Sequence, residues 1–160
     1  MRKGAPGRIL GVDPGLSATG FGIIDKQGGV LTQGVIKTDP SWELPVRLFY
    51  LGQEINKILR RYQPECCAIE SLFFKGGGAR SVILSAESRG VILAALARNK
   101  IPVYEITPAT VKLAVTGSGR ASKRQLNYMI RKILKFDDGL SEHAADALAV
   151  AYCLRNRLKR

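Results

Sequence analysis

The chain has 160 residues, which at roughly 100–200 residues per domain reads as one domain spanning residues 1–160, with room for a hydrophobic core. It carries 25 Lys+Arg against 13 Asp+Glu, a formal net charge of +12, and 46% hydrophobic residues. That composition excludes a disordered chain and points to a polyanionic partner.

The longest apolar stretch, Val82 to Ala97, is broken by Glu87 and Arg89 and falls short of the ~20 apolar residues a membrane span needs. The basic start, Met1 to Arg8, leads into only a short apolar run before Asp13, which is not the pattern of a secretory signal. Cys66 and Cys67 are adjacent and Cys153 is remote. Without a CxxC or Cys/His cluster they support neither a zinc site nor a disulfide framework, and a reducing, cytoplasmic setting is expected.

In chain order, Ile9 to Asp13 is a short apolar run that ends in an acid before Pro14-Gly15. Thr19–Asp25 and Val30–Lys37 are β-branched and aromatic, with Gly28-Gly29 between them, so the opening predicts an antiparallel meander of three strands. Leu44, Leu48, Leu51, Ile55, Ile58, Leu59 and Tyr62 recur at spacings of three and four, which predicts a helix from about Ser41 to Arg61 with Pro45 in its first turn. Cys66–Glu70 reads as a short buried strand, again ending in an acid.

Arg80–Asn99 predicts a helix apolar nearly all round, either fully buried or partly covered by a second subunit. Pro102–Thr107 predicts a strand, and Pro108–Val115 a short helix stopped by Gly117-Ser118-Gly119. Ser122 and Gln125 form a capping-box pattern that opens another helix. A last helix is expected from about Ser141 to Leu158. Strands alternating with helices after a meander predict an α/β fold: a mixed sheet of five strands with helices on both faces.

Asp13 and Glu70 both end predicted strands, and in open α/β sheets ligands sit beyond the carboxyl ends of strands. If those strands are parallel neighbours, the two carboxylates converge. His143 and Asp146, three apart on the last helix, share a face that Val150 continues inward. Converging acids in a basic chain repel one another, and a hard divalent cation is the natural neutraliser. A pair of such ions ~3.5–4 Å apart suits water attack on a phosphodiester. Each acid taken singly has a plainer reading, Asp13 as a turn-former before Pro14 and Glu70 as a surface acid at a strand end.

Ile9-Leu10-Gly11-Val12-Asp13-Pro14-Gly15 with Thr19-Gly20-Phe21-Gly22, then Ala68-Ile69-Glu70-Ser71-Leu72-Phe73, then Ala144-Ala145-Asp146-Ala147-Leu148-Ala149, resemble the RuvC Holliday-junction resolvases in order and spacing across nearly the whole chain. The resemblance implies an RNase H-like fold and a homodimer. It implies a Mg²⁺-dependent endonuclease, with Mn²⁺ as a possible substitute and two ions per site, that nicks two opposed strands of a four-way DNA junction to leave 5′-phosphate and 3′-hydroxyl ends. A branch-migration helicase complex is the expected partner.

The family's acids carry over at Asp13, Glu70 and Asp146, while the position three residues before the last acid holds His143. Imidazole is a poor Mg²⁺ ligand and a better one for Mn²⁺. His143 is therefore expected either to ligate an ion or to handle the attacking water. By the same resemblance Phe73 matches the aromatic that stacks at the crossover, with Phe74, Lys75 and Arg80 in the same DNA-facing stretch.

Arg120, Lys123, Arg124, Arg131, Lys132 and Lys135 follow one another without an acid, a run suited to phosphate. Lys112 and Lys123 match family positions near the scissile phosphate. Three other readings stand beside this one: a related nuclease of the same fold acting on other branched DNA or RNA hybrids, a non-enzymatic nucleic-acid-binding protein, and an actin-like phosphate-binding ATPase, for which 160 residues supply one domain where two are needed.

Overall fold

Strand parity in the computed structural model, which describes residues 7–72, 78–136 and 139–159, sets the whole layout. The meander forms as expected: β1 (Arg8–Asp13), β2 (Ala18–Asp25) and β3 (Val30–Lys37). β1 pairs antiparallel with β2, Asp13 opposite Gly20, and β2 pairs antiparallel with β3. The β2–β3 turn is held by one carboxylate: Asp25 Oδ1 accepts 2.8 Å bonds from the N–H groups of Gln27, Gly28 and Gly29. Gly28 sits at φ +98°, a conformation that suits only glycine.

Helix α1 (Leu44–Tyr62) follows, then β4 (Cys66–Glu70), α2 (Ala79–Arg98), β5 (Val103–Ile106), α3 (Pro108–Thr116), α4 (Lys123–Leu134) and α5 (Glu142–Leu158). The sheet order is β3-β2-β1-β4-β5, with β1–β4 and β4–β5 parallel, which is the mixed five-stranded sheet expected. The capping box at Ser122 and Gln125 is present with both of its bonds.

Successive strand residues point to opposite faces. On one face Ile9, Ile24, Cys66, Ala68 and Ile106 pack with α3, α4 and α5. On the other, Leu10, Val12, Ile23, Cys67 and Ile69 pack with α1 and α2. Helix α5 lies closest to the sheet, because β1 and β2 offer it glycines. A methyl group on Gly11 would run into the Ala147 carbonyl oxygen, and one on Gly20 into that of His143.

One expectation needs correction, and of the two readings of α2 full burial within this chain is excluded. Helix α1 begins at Leu44 rather than Ser41, because Asp39 captures the preceding turn: its Oδ1 accepts from Ser41 N at 2.8 Å and its carbonyl from Trp42 N at 3.1 Å. Extended backbone at Glu43 then precedes Pro45. Helix α2 is not buried all round. Its inward stripe is Ser88, Arg89, Ile92, Ala95 and Leu96, while Ile83 in its first half is 56% exposed within this chain. No helix among the described residues is long and apolar enough to cross a membrane.

Candidate active site

The acids end up together because of parity and register. Asp13 lies two residues beyond Gly11 on the face of β1 that meets α5, and Glu70 two residues beyond Ala68 on the same face of β4. Parallel pairing of β1 with β4, Ile9 opposite Cys66 and Val12 opposite Ile69, brings the two strand ends side by side. Helix α5 supplies the remaining groups. Ser141 caps it through Ala144 N, fixing its first turn over Gly20, and His143 and Asp146 project from that turn and the next. Asp13, Glu70, His143 and Asp146 line one cavity of about 350 Å³ together with Lys112, Lys123, Pro108 and Leu126.

Within that cavity each aspartate faces a basic side chain. His143 Nδ1 lies 2.9 Å from Asp13 Oδ2, and Lys123 Nζ lies 3.3 Å from Asp146 Oδ2 and 3.9 Å from Glu142 Oε2. An ionised carboxylate only accepts, so the hydrogen sits on Nδ1 and the Nε2 of a neutral ring keeps its lone pair. Burial pushes the Asp13 carboxyl above its ordinary value, against the pull of His143 and Lys123. Burial also raises Asp146, and the neighbouring charge of Asp13 raises it further. The carboxylate of Asp146 in turn raises the Lys123 ammonium.

The expectation that His143 heads a buried face is corrected. Its side chain is 48% exposed, whereas that of Asp146 is 18% exposed. Both residues share a helical face, but His143 stands in the first turn of α5, at the rim of the sheet. The carboxylates share a cavity without forming a ligand cluster: among the described residues, no three His, Cys, Asp or Glu side chains are drawn together tightly enough to hold a metal ion. The contacts to His143 and Lys123 give the physical reason, since each aspartate already leans toward its own nitrogen partner. The three carboxylates around this one cavity are the oxygen donors that hard divalent cations take.

The other DNA-facing expectations divide. Lys112 and Lys123 line the acidic cavity. Arg124 lines a cavity that shares Lys123 with the acidic one and also takes in Asn127, Tyr128 and Arg131, and Arg120 lines a further cavity with Ser118, Gln125 and Tyr128. Arg80 is exposed in the first turn of α2, which packs on the opposite face of the sheet from α5. Phe73, Phe74 and Lys75 lie outside the described residues.

Sequence reasoning missed two groups. Tyr128 is 60% exposed at the centre of the basic α4 surface, with Lys132 Nζ 5.7 Å from its ring centre. Arg89 is buried and bonds the backbone of Glu70. Its interruption of an otherwise apolar helix was the available signal.

The family model described as "Crossover junction endodeoxyribonuclease RuvC" matches residues 9–154. Proteins of that name from Thermosipho melanesiensis and Syntrophomonas wolfei are 41% identical over 151 residues and 42% identical over 150. These alignments cover 92% and 91% of this chain and 96% and 87% of theirs.

Among solved structures, Thermus thermophilus RuvC superposes with a TM-score of 0.80 at 31% identity, covering 91% of this chain and 92% of that one. The same protein in complex with Holliday junction substrate gives a TM-score of 0.83 at 30% identity, covering 91% of each chain. A yeast mitochondrial Holliday junction resolvase shares the fold, with a TM-score of 0.66 at 14% identity over 94% of this chain and 80% of its own. A family match that runs from β1 almost to the end of α5, with relatives above 40% identity over nine-tenths of the sequence, means that the chain belongs to the RuvC family of crossover junction endodeoxyribonucleases.

Proposed function

We propose that this protein is a Holliday-junction resolvase that nicks two opposed strands of a four-way DNA junction by metal-dependent attack of water on phosphodiesters, acting in DNA recombination and repair. One observation carries the reading: a single cleft gathers Asp13, Glu70, His143 and Asp146 with Lys112 and Lys123 in a chain of net charge +12. A protein that only coats nucleic acid needs the charge and not the gathered, half-buried acids. The family membership and the junction-bound Thermus relative support the four-way substrate.

Mg²⁺ is the ion proposed, with Mn²⁺ able to replace it. Asp13, Glu70 and Asp146 would hold it, and His143 would either join them or handle the water. When bound, a pair of divalent cations supplies an activated water and charge stabilisation for the leaving oxygen. The chain's own residues do the rest. Lys112 and Lys123 attract the scissile phosphate and offset its charge. Lys123, paired with Asp146 in the free protein, would turn to the phosphate, which would leave the Asp146 carboxylate free to hold a cation. His143, its Nδ1–H held by Asp13, presents Nε2 as a proton acceptor. Arg120 and Arg124, with Tyr128 between their cavities, extend the basic track along α4 for the DNA backbone.

A two-fold substrate cut at two places fits a two-fold dimer, and the exposed first half of α2 is available for it. A branch-migration helicase is the proposed partner, and the three buried free thiols fit a cytoplasmic setting.

The test is incubation with end-labelled four-way, three-way and linear duplex DNA, with and without Mg²⁺. Symmetric nicks confined to the four-way substrate and to the metal-containing reactions are expected. Equal cutting of linear duplex would overturn the junction specificity, and cutting in EDTA would overturn the metal dependence.

A further inference from the structure

Arg89 belongs to α2, on the far side of the sheet from the acidic cleft. It is 7% exposed, on the inward stripe of α2, and the only charged residue among the buried ones described. Burying a guanidinium is costly unless its donors are satisfied. Arg89 directs two of them to the active-site ends of two strands. Its Nη1 donates to the backbone carbonyl of Glu70 at 3.0 Å, and its Nη2 lies 2.7 Å from Glu105 Oε1.

These two partners are neighbours in the sheet. Ile69 is in register with Glu105, and Glu70 with Ile106. The Glu70 carbonyl also falls one residue past the last β1–β4 pair, Val12 opposite Ile69. From the α1/α2 side of the sheet, Arg89 therefore grips the peptide whose side chain faces the catalytic cleft on the other side.

We propose that Arg89 is a positioning residue for Glu70. Its forked guanidinium clamps the end of β4 to Glu105 on β5, so that the Glu70 carboxylate is delivered to the cation site in one orientation. The reading rests on the proposed metal-dependent activity, in which Glu70 is a ligand. A carbonyl held by a charged donor forms a stronger bond than one held by a neutral group, and a displacement of ~1 Å in such a site can cost on the order of 100-fold in rate. Lysine cannot replace the fork, because its single ammonium cannot span both partners in the same planar geometry.

The test compares wild type with Arg89→Lys, alone and in a Glu70→Gln background, and with Glu105→Gln. Four quantities are measured on the full-length protein: Mn²⁺ affinity by calorimetry, single-turnover cutting of a four-way junction at saturating Mg²⁺, junction affinity in EDTA, and melting temperature. Arg89→Lys should cut about 10- to 100-fold more slowly at temperatures well below its melting point and should bind Mn²⁺ more weakly, with junction affinity in EDTA within about twofold of wild type. Glu105→Gln keeps a neutral acceptor and should show a smaller loss in the same direction.

In the Glu70→Gln background, Arg89→Lys should leave Mn²⁺ affinity unchanged, because the carboxylate it positions is gone. An Arg89→Lys protein that melts earlier but cuts and binds Mn²⁺ like wild type would overturn the proposal, leaving Arg89 a purely structural residue. Equal weakening of Mn²⁺ binding in both backgrounds would also overturn it. If the wild type fails to cut junctions at all, the proposed activity falls, and the Mn²⁺ comparison still decides the role of Arg89.

Discussion

His143 Nδ1 lies 2.9 Å from Asp13 Oδ2, a contact between residues 130 positions apart that exists only because the first turn of α5 is pressed onto Gly20 of β2. The contact gives the imidazole a defined orientation in a place where the family pattern has an acid. His143→Ala should slow junction cutting by about 100-fold, the lower end of the range for a positioned proton acceptor. His143→Asp should retain activity with Mg²⁺ and reduce any advantage of Mn²⁺, since a carboxylate suits the harder ion. Cutting rates measured in parallel with the two ions check this, and wild-type rates for both variants with both ions would remove His143 from catalysis.

Asp13 and Asp146 carry burial-raised carboxyls. A carboxyl whose folded-state value lies above its unfolded one binds protons more tightly in the native state. Stability is then greatest below the ordinary carboxylate range and declines as pH rises through the raised value. Asp13→Asn and Asp146→Asn should therefore raise the melting temperature of the metal-free protein at pH 7, and the gain should shrink as pH falls toward 4. Both variants should lose cutting while keeping junction affinity in EDTA. Melting curves across pH in EDTA are the measurement, and a lowered melting temperature at pH 7 would contradict the raised values.

Lys123 bridges the acids and the basic α4 surface, with its Nζ 3.3 Å from Asp146. If it moves to phosphate when DNA binds, Lys123→Met should reduce the salt slope of junction binding by about one unit. It should also raise the Asp146 carboxyl further, because a favourable charge has gone. Junction affinities at several salt concentrations read the slope, and an unchanged slope would place Lys123 off the DNA.

Gly20→Ala tests how the site is assembled. The added methyl would collide with the His143 carbonyl oxygen, which belongs to a capped helix and cannot swing aside. A cost of about 3 kcal/mol, the upper part of the overpacking range, is expected, which is roughly 6–12 °C in melting temperature for a protein of this size. The variant should also lose more cutting than Asp25→Ala at the remote turn, because the same collision displaces His143 from Asp13. Thermal melts and cutting rates well below the melting point separate the two effects.

The thiols should be silent. Burial pushes Cys66 up to about 11 and raises Cys67 and Cys153 as well, so little thiolate exists at neutral pH. Native protein should resist alkylation at pH 7.5 and cut equally well with or without reductant, and mass spectrometry after iodoacetamide treatment tests this.

The strand–helix order, the acids at two strand ends, the pairing of His143 with Asp146 on one helical face and the basic run on α4 are all legible in the sequence. Each is written in local periodicity: two for strands, near 3.6 for helices, with Gly, Pro and capping residues marking the ends. The sequence leads to the convergence of Asp13 and Glu70 only if their strands are parallel neighbours, and it is the register, Val12 opposite Ile69, that puts both side chains on one side of the sheet. What periodicity cannot encode is how deeply a helix seats or which long side chain reaches across it. The exposure of His143, the pairing of Lys123 with Asp146, the bare first half of α2 and the grip of Arg89 on Glu70 were decided by tertiary structure. Each depends on how α2, α4 and α5 dock on the sheet, and that docking is set by the volume of side chains far apart in the chain; for α5 it is Gly11 and Gly20 that admit the close approach.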